Sequence, residues 1–312
     1  MSEQPYDCIV VGAGPAGLSA ALLLARYRRR VLTFHNSSPR NLYSHGVHAF
    51  LGHDGILPSE LLAHGRDEVM KYGGLVAEGC VTRAERIDDE LFRLTTGEGQ
   101  RVKQTFESRR LLLATGLRDL TPDCPGFQDF YGASVFHCPD CDGFEITGKR
   151  VAVLGRGRET VGFTLNLLTW TNKLTLITNG DAGDMTDEHR AKLARFDIAV
   201  TGQSIAKLEG NTETSQIERV RFDDGQMLEC DALFFNLGTE PASDLHEMLG
   251  CKLDEECGLV WVDAEDQQTS VPGVYAAGDL TPRSQLAIVA AAEGAMAAIH
   301  IHKSLIPEDR RI

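Results

Sequence analysis

An α/β fold of two nested Rossmann-like nucleotide-binding domains, in three layers with small β-meanders, is predicted by three features. Apolar strands run directly into glycine turns and helices twice, at residues 8–17 and again at 151–171. A further apolar strand near the other end, residues 274–277, stops at Gly278-Asp279 before a long Ala-rich stretch. The length of 312 residues suits about two domains at roughly 100–200 residues each.

The first unit opens with residues 8–11, a short apolar run suited to a buried parallel strand. Gly12, Gly14 and Gly17 follow in G-x-G-x-x-G spacing, with Pro15 and Ala16 inside it. Gly12 permits the turn, Gly14 lets a pyrophosphate approach the backbone, and Gly17 allows close helix–strand packing. Pro15 fits the first turn of a helix, where its missing N–H costs nothing. A helix is predicted over residues 18–30 and a second strand over 31–34. That strand ordinarily ends in Asp or Glu for the ribose hydroxyls. Here His35 and Asn36 stand there, and both can accept a hydrogen bond. Arg40 and Asn41 follow, within reach of phosphate or adenine. Residues 111–114 form another strand, leaving at Ala114-Thr115-Gly116, and residues 121–126, with two prolines, read as a crossing linker.

The second unit repeats the pattern: a strand at 151–154, a turn at Gly155-Arg156-Gly157, a helix over 160–171 and a strand at 174–178. Thr160 replaces the third small residue of the fingerprint, so close helix packing is less assured there. Arg156 and Arg158 offer charge to a phosphate, while Glu159 opposes it. The strand ends in Thr178-Asn179-Gly180, with no basic residue for the 2′-phosphate of NADPH. Residues 155–159, Gly155, Arg156, Gly157, Arg158 and Glu159, are therefore the candidate second nucleotide site, and the strand end argues against NADPH use. Residues 234–237 and Gly238 resemble the 111–116 exit and return the chain near Glu240-Pro241. Hairpin signals at 96–100 and 223–226 add short meanders.

The last strand ends at Gly278-Asp279, and a helix is predicted over 285–302, starting at Gln285, Leu286 and Ala287. An Asp at such a turn can accept hydrogen bonds from backbone or a ribityl chain. Paired with the N-terminal glycine motif, it points to FAD bound by a domain made from both ends of the chain. The boundaries read as 1–117 and 242–312 for the FAD domain and 118–241 for the inserted domain.

Cys138-Pro139-Asp140-Cys141 is the one C-x-x-C among eight Cys. Its spacing permits a disulfide or a two-thiolate half-site. Zinc needs two further ligands at matched spacing, and no metal site is expected. A redox dithiol is the preferred reading, with Asp142 beside it able to move a proton if burial raises its pKa. Capping a helix is the plain alternative for Asp142. His137 reads as a base or a structural neighbour. His45, His48 and His53 lie among glycines in a loop, and His48 is taken as a cofactor contact.

The formal charge of −14 excludes nucleic acid as the expected partner. No apolar run reaches the roughly 18–20 residues of a membrane helix, and residues 1–7 carry no secretory pattern. A cytoplasmic location is expected, with peripheral membrane contact left open.

Together the motifs resemble the low-molecular-weight thioredoxin reductase family. The matching parts are Gly12-Ala13-Gly14-Pro15-Ala16-Gly17, Ala114-Thr115-Gly116, the stretch 132–143 with the C-x-x-C, Gly238-Thr239-Glu240-Pro241 and Ala277-Gly278-Asp279. The resemblance implies one FAD, a discontinuous FAD domain, an inserted pyridine-nucleotide-type domain and a homodimer. It also implies that Cys141 faces the flavin, Cys138 exchanges with a substrate disulfide and Asp142 is the acid/base. Two departures stand out. The family's His-Arg-Arg-like cluster is replaced by Thr178-Asn179-Gly180, and its Arg-Gln pair by Gln285-Leu286. The segment 39–55 is more similar to a side branch of dithiol oxidases and NADPH-independent, diflavin-linked or ferredoxin-linked oxidoreductases, which leaves room for a second FAD. The expected activity is flavin-dependent exchange between Cys138–Cys141 and an external thiol or disulfide, on a thioredoxin-like protein or a small dithiol. The alternatives are an NADPH-dependent thioredoxin reductase and a non-catalytic flavin-binding redox sensor.

Overall fold

The computed structural model describes residues 4–97 and 104–310. The chain divides into two compact units, Met1–Leu42 with Ala49–Arg118 and Glu240–Ile312, and Tyr43–His48 with Asp119–Thr239. The α/β class is as the sequence predicts, with parallel strands at the centre of each unit.

In the first unit, Leu75–Glu78, Val31–His35, Tyr6–Val11 and Gln104–Leu113 lie side by side in parallel. The long Gln104–Leu113 strand is shared. Its first half pairs antiparallel with Phe92–Thr96, which pairs with Val81–Arg86, and its last three residues pair parallel with Val274–Ala276. The two chain ends are thereby tied into one sheet. The turn of the hairpin foreseen at 96–100 falls largely outside the described residues.

Alternation decides the two faces of this sheet. Cys8, Val10 and Leu112 point to one side, against the helices Pro15–Arg26, Pro58–Lys71 and Ala287–Ser304. Ile9, Val11, Leu111 and Leu113 point to the other, against Phe92, Leu94, Val260 and Leu280. Strands buried on both faces need apolar residues at every position, hence the unbroken Cys8-Ile9-Val10-Val11 run. The first and last helices approach closely because their contact is small: a Cβ on Gly294 would collide with the Ala16 carbonyl.

The helix boundaries shift from the sequence reading. The first helix begins at Pro15, which supplies the fixed φ of a first turn, and stops at Arg26, before Arg28 takes a left-handed φ of 61°. The last helix runs Ala287–Ser304, with Leu286 extended before it.

In the second unit five parallel strands run in the order Ala199–Thr201, Leu174–Ile177, Val151–Gly155, Ala232–Asn236, Val135–Phe136. The helix Gly157–Asn166 starts three residues earlier than predicted and ends in a 3-10 turn, Leu167–Thr169. An antiparallel meander, Ile205–Asn211, Gln216–Phe222 and Met227–Glu229, shares a core with Phe127, Phe130 and Phe235. Its second turn is the hairpin foreseen at 223–226.

Candidate functional site

The glycine turn of the first unit is an open cradle. Gly12 has φ +111°, and a Cβ there would strike the Ala114 carbonyl. This puts Ala114-Thr115 directly beside the turn, and the Ala114 N–H donates to the Val11 carbonyl at 2.9 Å. A Cβ on Gly17 would strike the Gly12 carbonyl, so the helix can start this close to the strand only as glycine. At Gly14, by contrast, a Cβ would meet nothing within 4 Å. No side chain caps the helix that starts at Pro15. Open space beside uncapped helical N–H groups is what a pyrophosphate requires, and these residues fit FAD.

Further residues gather in the same unit. Gly278 has φ +78°, and a Cβ there would lie 3.0 Å from that of Ala16. The Arg40 guanidinium donates to Asp279 Oδ2 at 3.0 Å and to Gln285 Oε1 at 2.7 Å. Arg40, Asp279 and Gln285, proposed separately from the sequence, are thus joined, with Leu286 and Ala287 at the adjoining helix start. His35 Nδ1 lies 3.2 Å from Ser37 Oγ, and burial holds its pKa below the usual value, aided by the Arg66 charge. Asn36 Oδ1 accepts from the Ser38 N–H at 3.2 Å, and Asn41 lies on the turn that closes from Leu42 N–H to the Pro39 carbonyl. The Gly116 carbonyl accepts from Ala242 N–H at 3.1 Å.

One residue of this region belongs to none of the motifs singled out in the sequence. Glu293 is buried in the last helix, and its Oε2 accepts from Gly278 N–H at 2.7 Å and Thr281 Oγ1 at 2.9 Å. Its Oε1 is buried without a hydrogen-bond partner, and burial pushes its pKa up. The signal was a lone carboxylate in the run Ala-Ile-Val-Ala-Ala-Ala-Glu-Gly-Ala.

In the second unit Cys138 and Cys141 form a disulfide, with Cα atoms 5.3 Å apart. They bracket a single helical turn, Pro139–Asp142, and the Cys141 N–H points at Cys138 Sγ at 3.2 Å. Gly143 follows because a Cβ would lie 2.6 Å from the Trp170 ring. Asp142 is raised to about 7, chiefly by burial. The nearby His48 opposes that shift and Glu145 adds to it. His48 Nε2 stands 3.6 Å from Glu145 Oε1, whose other oxygen is buried without a hydrogen-bond partner. His48 thus belongs to the unit of the dithiol, with Glu145, which sequence reasoning did not single out. His137 Nδ1 lies 3.8 Å from Asp119 Oδ2, which also accepts from Tyr131 Oη at 2.8 Å. Among the described residues, no group of three or more His, Cys, Asp or Glu could hold a metal.

The second glycine turn differs from the first. Thr160 is fully buried and donates to the Arg156 carbonyl at 2.7 Å. Close packing is achieved from the opposite side: a Cβ on Gly155 would lie 2.5 Å from Thr160 Oγ1. Space is made by the strand-end glycine, so the threonine is accommodated. The turn itself is filled. Gly157 N–H donates to the Ala182 carbonyl at 3.1 Å, and Arg158 N–H donates to Asp184 Oδ1 at 2.7 Å. Arg156 pairs with Asp181 at 2.8 Å. Glu159 lies in the first helical turn. At the strand end, Asn179 Oδ1 accepts from Ile205 N–H at 2.7 Å.

The model for the pyridine nucleotide-disulphide oxidoreductase family matches residues 6–294. A thioredoxin reductase of Treponema pallidum is 31% identical, over 95% of this chain and 96% of its own. The crystal structure of a putative thioredoxin reductase from Bacillus anthracis superposes with a TM-score of 0.89 at 31% identity, covering 98% of this chain and all of that one. The crystal structure of HlmI superposes at 0.90 and 33% identity, covering 99% and 95%.

Proposed function

From the chain's membership of the pyridine nucleotide-disulphide oxidoreductase family, as a flavin-dependent enzyme of thioredoxin reductase type, we propose that it exchanges electrons between FAD, the Cys138–Cys141 pair and an external thiol or disulfide. The observation that carries this reading is the Cys138–Cys141 disulfide with Asp142 next to it in the chain, its carboxyl pKa raised by burial. Residues 1–117 and 242–312, apart from Tyr43–His48, are assigned to FAD, and residues 118–241 to the dithiol. Gly12, Gly14 and Gly17 would hold the pyrophosphate, and Asp279, oriented by Arg40, the ribityl chain. Bound FAD supplies the two-electron step.

In the oxidative direction a substrate thiolate attacks Cys138 Sγ. The Cys138–Cys141 bond breaks and Cys141 leaves as a thiolate. A second substrate thiolate attacks the substrate sulfur of the mixed disulfide and releases Cys138. The substrate leaves as a disulfide and the pair, now a dithiol, holds the two electrons that bound FAD would accept. The reductive direction runs these steps backwards. Cys141 N–H, aimed at Cys138 Sγ, favours a thiolate on Cys138. Asp142 takes up or returns the proton of the departing thiol, because near neutrality both its forms are populated.

The partner is proposed to be a thioredoxin-like protein or a small dithiol, and the enzyme a homodimer. The named reductases among its relatives favour NADPH as donor. The absence of any basic residue at 178–184 favours another carrier: a second flavin, oxygen, a quinone or a ferredoxin. Anaerobic mixing of the yellow protein with NADPH decides between them, since rapid bleaching supports the NADPH route. The catalytic assignment is tested with the C138S/C141S double variant. Thiol-linked change in flavin colour that persists unchanged there sinks it.

A further inference from the structure

We propose that the 181–184 loop is a built-in substitute for a dinucleotide phosphate, so that Asp181 and Asp184 exclude pyridine nucleotides from the second glycine turn. This rests on the reading of the chain as a flavin enzyme with a donor other than NADPH.

The two glycine turns of the one chain serve as each other's control. Both join a buried parallel strand to a helix, and neither helix has a side-chain cap from its own N-cap residue. Beside Gly14 the space is open. At the second turn the first two helical N–H groups, Gly157 and Arg158, are both engaged, by the Ala182 carbonyl and the Asp184 carboxylate. A carboxylate at a helix N-terminus satisfies the same dipole and the same donors as a phosphate oxygen.

The loop is built to stay there. Gly157 at φ +73° and Gly183 at φ +56° bring the backbones together, and a Cβ on Gly183 would lie 3.0 Å from Gly157 N. Asp181 Oδ1 accepts from Gly183 N–H at 2.8 Å, while its other oxygen pairs with Arg156 at 2.8 Å. The arginine of the turn, Arg156, is therefore already paired with a carboxylate. Residues 178–184, Thr-Asn-Gly-Asp-Ala-Gly-Asp, carry two negative charges and no positive one. A dinucleotide has to displace a charge-assisted hydrogen bond and an ion pair, then sit against two carboxylates.

The experiment measures NADP+ and NAD+ binding to the flavin-loaded protein by calorimetry, since the oxidised nucleotides bind without turnover. Wild type is expected to bind NADP+ only weakly, with a Kd of about 1 mM or above. D181A/D184A is expected to bind NADP+ at least ~10-fold more tightly than wild type, about 1.4 kcal/mol. D184N, which keeps an oxygen for the Arg158 N–H, should gain less than the double variant. Should the double variant lose flavin or circular dichroism, D181A alone carries the test, with a gain of about 3-fold expected. Micromolar binding by wild type, or a variant that binds no better, overturns the inference. Thiol turnover by wild type is measured in parallel. Its absence removes the oxidoreductase reading, whereas tight NADP+ binding removes only this one.

Discussion

Arg40 and Asp279 stand 239 residues apart in sequence and are joined by a 3.0 Å ion pair. Their side chains are only 13% and 22% exposed, so solvent screens the pair weakly. The same guanidinium holds Gln285 Oε1 at 2.7 Å, and the turn before the last helix is pinned to the N-terminal half of the unit. Arg40→Leu removes both charge-assisted hydrogen bonds, worth about 1.5–3 kcal/mol each when truncated. Flavin affinity is expected to fall by about tenfold or more. Flavin-to-protein absorbance after gel filtration checks it, and full flavin content in the variant contradicts the role given to Arg40.

Asp142 predicts a specific pH dependence. Its value of about 7 in the fold lies above the ordinary 3.8. The folded protein therefore binds the proton more tightly than the unfolded chain, and stability falls as pH rises from about 4 to 7. Above 7 the full penalty applies, on the order of 4 kcal/mol. Asp142→Asn abolishes this window: its urea midpoint should exceed that of wild type at pH 8 and match it near pH 4. The same variant should lose the limb near pH 7 in the rate of thiol turnover. A wild-type rate profile that is flat through neutrality argues against the acid/base role.

Much of this was legible in the sequence, for a physical reason. Positions that need glycine or an unbroken apolar run admit few substitutes, so Gly12, Gly17 and residues 8–11 declare the strand–turn–helix unit on sight. Cys138 and Cys141 sit within one helical turn, so their spacing alone permits the disulfide. What stayed hidden was long-range and polar. Nothing local marks Asp184 as the partner of Arg158, 26 residues away, or Glu293 as the acceptor for Gly278. His48 meets Glu145 across nearly a hundred residues, a pairing that its loop context does not announce. Thr160 misled in a subtler way, because the space it needs comes from Gly155 on the facing strand.

Gly294 tests the packing of the first and last helices of the first unit, Pro15–Arg26 and Ala287–Ser304. A Cβ there would collide with the Ala16 carbonyl, a backbone atom that cannot rotate away. Gly294→Ala would favour an isolated helix, since alanine is the better helix former by about 1 kcal/mol. Overpacking, at about 1–3 kcal/mol or more, opposes that gain and wins against a rigid carbonyl. Because Ala16 lies in the glycine turn, the same displacement should loosen the flavin. The expected result is a lower melting temperature together with partial flavin loss, and a more stable, fully yellow G294A contradicts the argument.

Glu293 separates hydrogen bonding from charge. Its Oε2 serves two buried donors, Gly278 N–H and Thr281 Oγ1, and burial raises its pKa. Glu293→Gln keeps an acceptor oxygen for both donors and carries no charge to desolvate. Glu293→Ala leaves the Gly278 N–H unpaired, at about 1–3 kcal/mol, while Thr281 Oγ1 still has the Gly278 carbonyl at 2.9 Å to donate to. A raised carboxyl pKa also means that wild-type stability declines as pH rises above the ordinary glutamate value, and the glutamine variant lacks that decline. Urea denaturation across pH 5–9 should therefore rank the variants as glutamine, wild type, alanine at the alkaline end, with the first two converging at the acid end. If glutamine and alanine prove equally destabilising, the carboxyl is not acting as the shared acceptor that orders the Gly278–Leu280 turn.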